Sequence, residues 1–432
     1  MAEDSSAGVL RISVFSPTVG RPSENTAVSV RKADSGDLVF NGFTDREGKL
    51  PALILPAPPA ELSQEPPLPA EVFPESDSEI RAELEETPQN DIMMPSEEQP
   101  FSSFDITAVG ENGDTTEING VQIYADTSAL QNIILPGQSD DINIPAPNIM
   151  GGNPDKIPEA ELKPVPPPQG SVVLPQPVVP GIIVVHAGVP SDSSAPNYYV
   201  GFQDYIKNVA SSEIFATWPP EAIKANVIAI ISFTLNRVYT EWYRGKGYDF
   251  TITNSTAYDQ SFVYGRNIFS EISDIVDEVF TLYITRPDIT QPLFAQYCDG
   301  IRVSRSGWLS QWGSKELADR GYSALRILQT YYGRDIILRE AQKVEGIPTS
   351  FPGTLSIGSR GQGVRTLQNQ LNAISVNFPL IPRLSEDGIY GPKTAESVRT
   401  FQQIFNLPQT GVTDFATWYR ISDIYVAVRR LA

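Results

Sequence analysis

Short runs of alternating apolar and polar residues open the chain: LRISVF (10–15), TAVSVRK (26–32), LVFNGFT (38–44) and LPALIL (50–55). Each turns one face of a strand inward and the other to water, and the turns DSGD (34–37) and DREG (45–48) separate them. The alternation stops and resumes from Phe104 to Leu135, so one β-sandwich with an insertion is expected. Beyond Tyr198 the period lengthens. Ile223, Val227, Ile230, Ile231, Thr234, Leu235, Val238 and Trp242 recur at helical spacing, which predicts a helix from about Pro220 to Tyr243 with its apolar face in the core. A polar loop rich in Asn and Tyr (254–267) leads to a second helix near 268–282. LSQWG (309–313) opens another, KELADRG (315–321) ends one, and SALRILQTYYG (323–333) forms one more. The pattern as a whole is multidomain α+β.

Proline and charge divide the 432 residues further. Many of the 37 prolines lie between Pro51 and Pro190, in runs such as LPAPPA, PEAELKPVPPP and VVLPQPVVP that can continue neither a helix nor a central strand. Residues 1–170 hold 29 acidic and 9 basic side chains, while 171–432 hold 23 of each, so the formal charge of −20 sits entirely in the front. Between Glu61 and Glu98 twelve acids face one Arg81, a composition expected to stay disordered. The acids of the front block are scattered and are read as a solvated charge run. The expected units are a sandwich over 1–136 with an acidic insertion at 58–100, a Pro-rich linker over 137–185, a compact block over 186–347 and a small unit over 353–432. Exposed linkers are where proteases cut, and VPPPQGSVV (165–173) lies at the charge boundary.

Composition excludes several chemistries. No basic stripe serves nucleic acid. The single Cys298 permits no internal disulfide, and the single His186 leaves too few ligands for an ordinary zinc site and makes a Ser or Cys triad improbable. The start, MAEDSSAGVLRIS, has neither the basic segment nor the apolar core of a Sec leader, and no apolar run reaches membrane-spanning length. Catalysis, if present, falls to carboxylates. In VASSEIFATWPPEAIKANVIA (209–229) one carboxylate, Glu213, stands ahead of a Trp-Pro turn and a long helix. Held against Ile214, Phe215 and Trp218 it would lose hydration and keep its proton, as an acid catalyst must. The plainer alternative is a Glu that merely flanks the helix.

Residues 198–333 resemble the SpoIID/LytB family of lytic transglycosylases. Glu213, Trp218, Pro219, Glu221, Ala222, Lys224 and Ala225 match its first pattern. Ser310, Gln311, Trp312, Gly313, Gly321, Tyr322, Ser323, Ile327, Leu328, Tyr331, Tyr332 and Gly333 match its second. The resemblance implies that Glu213 is catalytic. Many relatives continue the first helix with Ala-Arg-Thr-Tyr where this chain has Ile231, Ser232 and Phe233. Some relatives bind zinc through a Cys and a His. Here no His accompanies Cys298, so no metal and no cofactor is expected, and Cys298 is read as a buried small hydrophobe. The C-terminal run from Leu355 is similar to peptidoglycan-binding domains through Gly358, Gly361, Val364, Leu367, Gln368, Leu371, Asp387, Gly388, Tyr390, Gly391, Thr394, Val398, Phe401, Gln402, Gly411, Thr417 and Trp418, which implies a small three-helix core. The front block resembles carboxypeptidase-regulatory or transthyretin-like sandwiches.

In this order the parts resemble the clostridial spore cortex-lytic proenzymes. That resemblance implies a β-sandwich pro-domain, a central SpoIID-like catalytic domain and a wall-binding domain, monomeric and deposited in the spore without a Sec leader. It implies cortex peptidoglycan bearing muramic-δ-lactam as substrate, a subtilisin-like germination protease as activator, and neither nucleic acid nor membrane as partner. One carboxyl group suffices for such a lyase: it protonates the glycosidic oxygen leaving N-acetylmuramic acid, then takes the proton of the C6 hydroxyl as a 1,6-anhydro ring closes. The expected glycan contacts are Trp218, Asn254, Tyr258, Asp259, Gln260, Tyr264, Ser310, Gln311 and Trp312, any of which could instead be core or turn residues. Asp387 and Tyr390 are expected to touch the wall. Residues 1 to about 170 are expected to occlude the cleft. Two other readings stay open: a hydrolytic muramidase with Asp259 as second carboxylate, and a non-catalytic cortex-binding protein.

Overall fold

The computed structural model describes residues 6–16, 22–66, 99–135, 140–150, 174, 176–344, 352–405 and 407–428. Most of the acidic insertion and all of the expected cleavage region at 165–173 lie outside the described residues. Among the described residues the front block has eight strands: β1 (Ala7–Phe15), β2 (Ala27–Lys32), β3 (Leu38–Phe43), β4 (Leu53–Pro56), β5 (Ser102–Val109), β6 (Thr115–Ile123), β7 (Ser128–Ile134) and β8 (Asp140–Asn143). They form two sheets, one ordered β3-β2-β5-β6-β8 and the other containing β7-β1-β4. The alternation read from sequence is what fills the space between them. Leu10, Ile12 and Val14 of β1, Val28 and Val30 of β2, and Phe104, Ile106 and Ala108 of β5 point inward and are buried.

The first part of the region expected to be disordered is ordered instead, because Ala60–Ser63 forms a short 3-10 turn with Ser63 buried. The linker expected over 137–185 also contains structure. β8 adds to β6 in parallel, Thr116↔Asp140 through Asn119↔Asn143. Further on come β9 (Val178–Val179), β10 (Ile182–His186) and β11 (Asn197–Gly201). β10 lies between β11 and β12 (Ile252–Thr253), every residue of it buried, so the boundary expected at residue 186 cuts a central strand. The prolines around it hid an uninterrupted Ile-Ile-Val-Val run, which is how a strand covered on both faces reads.

Five helices make up the central block: α1 (Phe202–Glu213), α2 (Pro220–Tyr239), α3 (Ser270–Val279), α4 (Gln311–Asp319) and α5 (Ala324–Tyr332). α2 starts with Pro220 at its first position, where the missing N–H costs nothing, and is buried on nearly every side. It ends earlier than the apolar spacing predicts. Thr240 Oγ1 donates back to Asn236 O at 2.7 Å, Glu241 takes φ of 50°, and Trp242 leaves the helix to lie under Lys246, 3.4 Å from its ring centroid. Among the described residues no helix is long and apolar enough to cross a membrane.

The front and central blocks do not have separate cores. One apolar cluster runs from Leu10 through Tyr124 and Phe215 to Ala341. A strand of the central block, β13 (Ile268–Phe269), completes the front sheet by pairing with β7, Ile268↔Leu130 and Phe269↔Ala129. Beside it Arg266 Nη2 donates to Gln122 Oε1 at 2.6 Å and Asn267 Nδ2 to Gln122 O at 3.1 Å.

The C-terminal unit has a core of its own around Leu367, Leu371, Tyr390, Phe401 and Trp418, built by α6 (Gln362–Asn377), α7 (Pro392–Ile404) and α8 (Phe415–Val428). Two buried glutamines hold its turns. Gln368 Oε1 accepts from Gly388 N at 2.9 Å, and Gln402 Oε1 accepts from Gly411 N at 2.9 Å. Both glycines have positive φ, 73° and 66°, which a side chain would oppose.

Burial raises the phenols of Tyr124, Tyr205, Tyr297 and Tyr332 well above their ordinary value of 10. An unfolded chain releases these protons near pH 10 and the native one does not, so the native state binds more protons there and stability falls as pH rises further. Denaturant midpoints are expected to drop progressively as pH rises above about 10, with the phenolate absorbance of the buried tyrosines appearing only as structure is lost. Complete ionisation of all tyrosines before unfolding would contradict this burial.

Candidate active site

α1 ends on Glu213, and the chain leaves the helix at Ile214 in an extended conformation. A helix C-terminus is the unfavourable end for an acid, so helix stability does not explain this residue. Its side chain is 0 % exposed. Four donors replace its water. Oε1 accepts from Ser261 N at 3.0 Å and from the Tyr297 hydroxyl at 3.2 Å. Oε2 accepts from Asn148 Nδ2 at 2.7 Å and from Gln311 Nε2 at 3.4 Å. Tyr297 remains a phenol because burial first, and then the charge of Glu213, raise its pKa.

Three of these donors belong to the central block, and each is placed by local structure. Tyr297 lies in the short strand Tyr297–Cys298, paired in parallel with Leu309–Ser310. Ser310 caps α4 by accepting from Gly313 N at 2.9 Å, which puts Gln311 at the helix start facing Glu213. The 259–261 segment is held by its two preceding side chains. Gln260 Oε1 accepts from Tyr205 at 3.0 Å and from Thr234 at 2.8 Å, and its Nε2 donates to Ile230 O at 3.2 Å. Asp259 is 0 % exposed, with Oδ1 paired to Arg237 Nε at 2.8 Å and Oδ2 accepting from Tyr243, Thr253 N and Thr253 Oγ1 at 2.6, 3.0 and 2.7 Å. The fourth donor comes from outside. Asn148 belongs to the turn Asn148–Met150 that follows β8, a region read from sequence as plain linker.

The expected glycan contacts divide accordingly. Gln311 joins Glu213 directly. Asp259 and Gln260 are corrected from sugar contacts to internal anchors, since both are fully buried. Trp218 and Trp312 are also inside, 5.0 Å apart at their ring centroids, with Trp218 Nε1 donating to Ser63 O of the front block at 3.0 Å. Ser310 serves as a helix cap. Asn254 and Tyr258 are half-buried; Asn254 N donates to His186 O and Tyr258 O accepts from Arg237, both through the main chain. Tyr264 is exposed and stacks on Tyr198, centroids 4.5 Å apart. In the C-terminal unit Tyr390 is corrected to a core residue, its hydroxyl donating to Gly411 O at 3.0 Å. Asp387 is exposed, but its Oδ1 accepts from Gln368 and Ile389 N, each at 2.9 Å, so it serves its own turn. Cys298 is half-buried rather than buried, and no metal-binding group of three His, Cys, Asp or Glu occurs among the described residues.

Sequence reasoning missed Ser261, Tyr297 and Asn148. Ser261 contributes only a main-chain N–H, which leaves no trace in residue type. Tyr297 sits in FAQYCDG (294–300), a mixed run in which nothing marks the tyrosine as a donor to Glu213.

Comparison with known families places two segments. Residues 195–278 match the model described as Stage II sporulation protein, and residues 360–421 match the model described as putative peptidoglycan binding domain. The chain is thus similar to a sporulation protein in one part and to a peptidoglycan-binding domain in another. Among solved structures, the SleB N-terminal domain aligns at 25 % identity over 17 % of this chain and 92 % of its own, with a TM-score of 0.15. The 5-hydroxyisourate hydrolase of Klebsiella pneumoniae aligns at 14 % identity over 30 % of this chain and 92 % of its own, with a TM-score of 0.16. A search of curated proteins finds no match.

The Asp259–Arg237 pair gives a direct test of its role. Asp259→Ala leaves a buried guanidinium without its counter-ion and is expected to lower stability by about 3–5 kcal/mol, read from denaturant midpoints. An Asp259→Ala protein of unchanged stability would show that the carboxylate is not a structural anchor.

Proposed function

We propose that this chain is the proenzyme of a spore cortex peptidoglycan lytic transglycosylase, with Glu213 as its one acid and base. The two family matches support a cell-wall lytic role in the spore. The observation that carries the finer reading is the Glu213 cluster: a carboxylate inside the matched segment, stripped of water, whose shortest donor is lent by the front block.

The same cluster suggests how activity is withheld. An acid must turn a proton toward its substrate, and Oε2 is instead occupied by the Asn148 amide at 2.7 Å. When residues 148–150 withdraw, Oε2 is opened while Ser261 N, Tyr297 and Gln311 go on orienting the carboxyl group. Protonated Glu213 then gives its proton to the glycosidic oxygen as the bond from muramic C1 breaks. The C6 hydroxyl attacks C1 and returns its proton to Glu213, closing the anhydro ring without water. The front block's excess of negative charge adds repulsion toward a carboxylate-bearing wall at low ionic strength. A subtilisin-like protease cutting within 165–173 is the proposed trigger, spore peptidoglycan with its muramic-δ-lactam the proposed substrate, and a monomer the proposed state.

A lyase is favoured over a two-carboxylate muramidase because the nearby acids are engaged. Asp259 is locked to Arg237, and Asp299 Oδ1 accepts three main-chain N–H groups while its Oδ2 pairs with Arg302 at 2.9 Å. Neither is free to activate a water.

The deciding experiment treats decoated spores with full-length and protease-cut protein and analyses the released fragments by mass spectrometry. Cut protein is expected to yield anhydromuramic ends and uncut protein almost none, with Glu213→Gln folded but at least about a hundredfold slower. Reducing ends would transfer the reading to the muramidase. No release by cut protein would transfer it to a structural wall-binding role.

A further inference from the structure

The turn that covers Glu213 touches a second charged residue that the chemistry above leaves without a task. After the strand Tyr297–Cys298 the chain makes a tight loop around Asp299, whose Oδ1 accepts from Ile301 N, Arg302 N and Val303 N at 2.8, 2.9 and 3.0 Å. The Asp299 carbonyl accepts from Trp312 N at 3.1 Å, tying the loop to α4 beside Gln311. On this fixed base Asp299 Oδ2 holds the Arg302 guanidinium at 2.9 Å. Arg302 Nη2 then lies 3.5 Å from Asn148 O and 3.4 Å from Ile149 O.

The covering turn therefore meets Glu213 and Arg302 as an amide ligand. It gives one amide N–H to the carboxyl group of Glu213 and two amide carbonyls to Arg302. A wall glycan carries the same chemistry beside its scissile bond, since acetamido and lactam groups pair an amide carbonyl with hydrogen-bond donors on neighbouring atoms. Arg302 is 34 % exposed in its side chain even with the turn in place, and Asp299 fixes its orientation without using all of its five donors.

Resting on the reading that Glu213 is the acid, we propose that Arg302 is a substrate-binding residue: it holds the carbonyls of residues 148–149 before activation and an amide carbonyl of the glycan afterwards. One guanidinium thus has two successive occupants. The consequence is a change of sign. Removing Arg302 loosens the cover of the uncut protein, which raises its residual activity, and weakens glycan binding by the cut protein, which lowers activity at limiting substrate.

The test compares wild-type, Arg302→Ala and Arg302→Lys full-length proteins before and after limited cutting with a subtilisin-type protease. Uncut Arg302→Ala is expected to release more muropeptide than uncut wild type. Cut Arg302→Ala is expected to show KM raised about tenfold with kcat little changed, and Arg302→Lys to recover part of the loss. A second measurement needs no turnover. With Glu213→Gln in every protein, calorimetric titration with a soluble N-acetylglucosamine–N-acetylmuramic acid oligosaccharide reads binding, and the C-terminal unit contributes equally to all of them. Binding about tenfold weaker in cut Arg302→Ala sustains the proposal even if no protein cleaves cortex, in which case only the catalytic reading of Glu213 falls. Equal oligosaccharide affinity in cut wild-type and Arg302→Ala proteins overturns the proposal and leaves Arg302 as a latch for the turn.

Discussion

A carboxylate removed wholly from water persists only where the protein replaces its hydration, and Glu213 draws its replacements from four separate segments. The site consequently exists only when the fold around it is assembled. The tightest instance is the three-residue stretch Asp259, Gln260, Ser261. Asp259 fastens it to the end of α2 through Arg237, and Gln260 fastens it to α1 and to the middle of α2. Ser261, held between these anchors and the rest of the chain, aims its N–H at Oε1. Two side chains that looked like sugar contacts thus position a main-chain donor. Their chemistry is polar because the anchoring is polar, and their burial is complete because the anchor points lie inside.

Much of this architecture was legible from periodicity. The alternating runs became β1 to β4 within a few residues, and the eight apolar positions from Ile223 to Trp242 marked α2 apart from its last turn. Glu213 could be singled out because its neighbours Ile214, Phe215 and Trp218 announced an apolar setting; those three are buried, while the carboxylate itself meets four polar donors. Where sequence reading went astray, a local signal was overridden by a partner far along the chain. Prolines around Val178 to Val185 suggested a linker, yet β9 pairs with Gln342–Lys343 and β10 with β11 and β12. Asn148 stands in a Pro- and Asn-rich stretch with no periodicity, and its role depends on a carboxylate 65 positions away. A polar residue in a polar loop looks the same in sequence whether it faces solvent or, like Asp259, a buried arginine.

The joint between front and central blocks bears on what the proposed activation would have to move. Tyr124 packs against both Phe215 and Phe269, with centroids 5.6 and 5.2 Å away, and Phe215 in turn meets Trp218 and Trp312. Trp218 and Thr217 are hydrogen-bonded to Ser63 and Gln64, and β13 is a strand of the front sheet. Each aromatic uncovered by separation costs about 1.5–3 kcal/mol, and the β13–β7 pairing is lost besides. A cut within 165–173 touches none of these contacts.

Residues 144–150 are held differently. Beyond Ile144 at the end of β8, Ile149 and Pro147 are buried and Met150 packs partly against the core, and the rest of their hold is polar: Gln122 and Arg266 on Pro145 O, Glu213 on Asn148, and Arg302 on two carbonyls. Every one of those polar groups can be re-satisfied by water or by a polar ligand, whereas the aromatic contacts of the joint cannot. A cut downstream also removes one of the two covalent tethers of this segment and none of the contacts that fix the sandwich. The segment over Glu213 therefore gives way at far smaller cost than the block it belongs to. In the proposed activation, uncovering Glu213 would therefore require the release of a turn of a few residues, with the acidic sandwich remaining docked on the strand it shares.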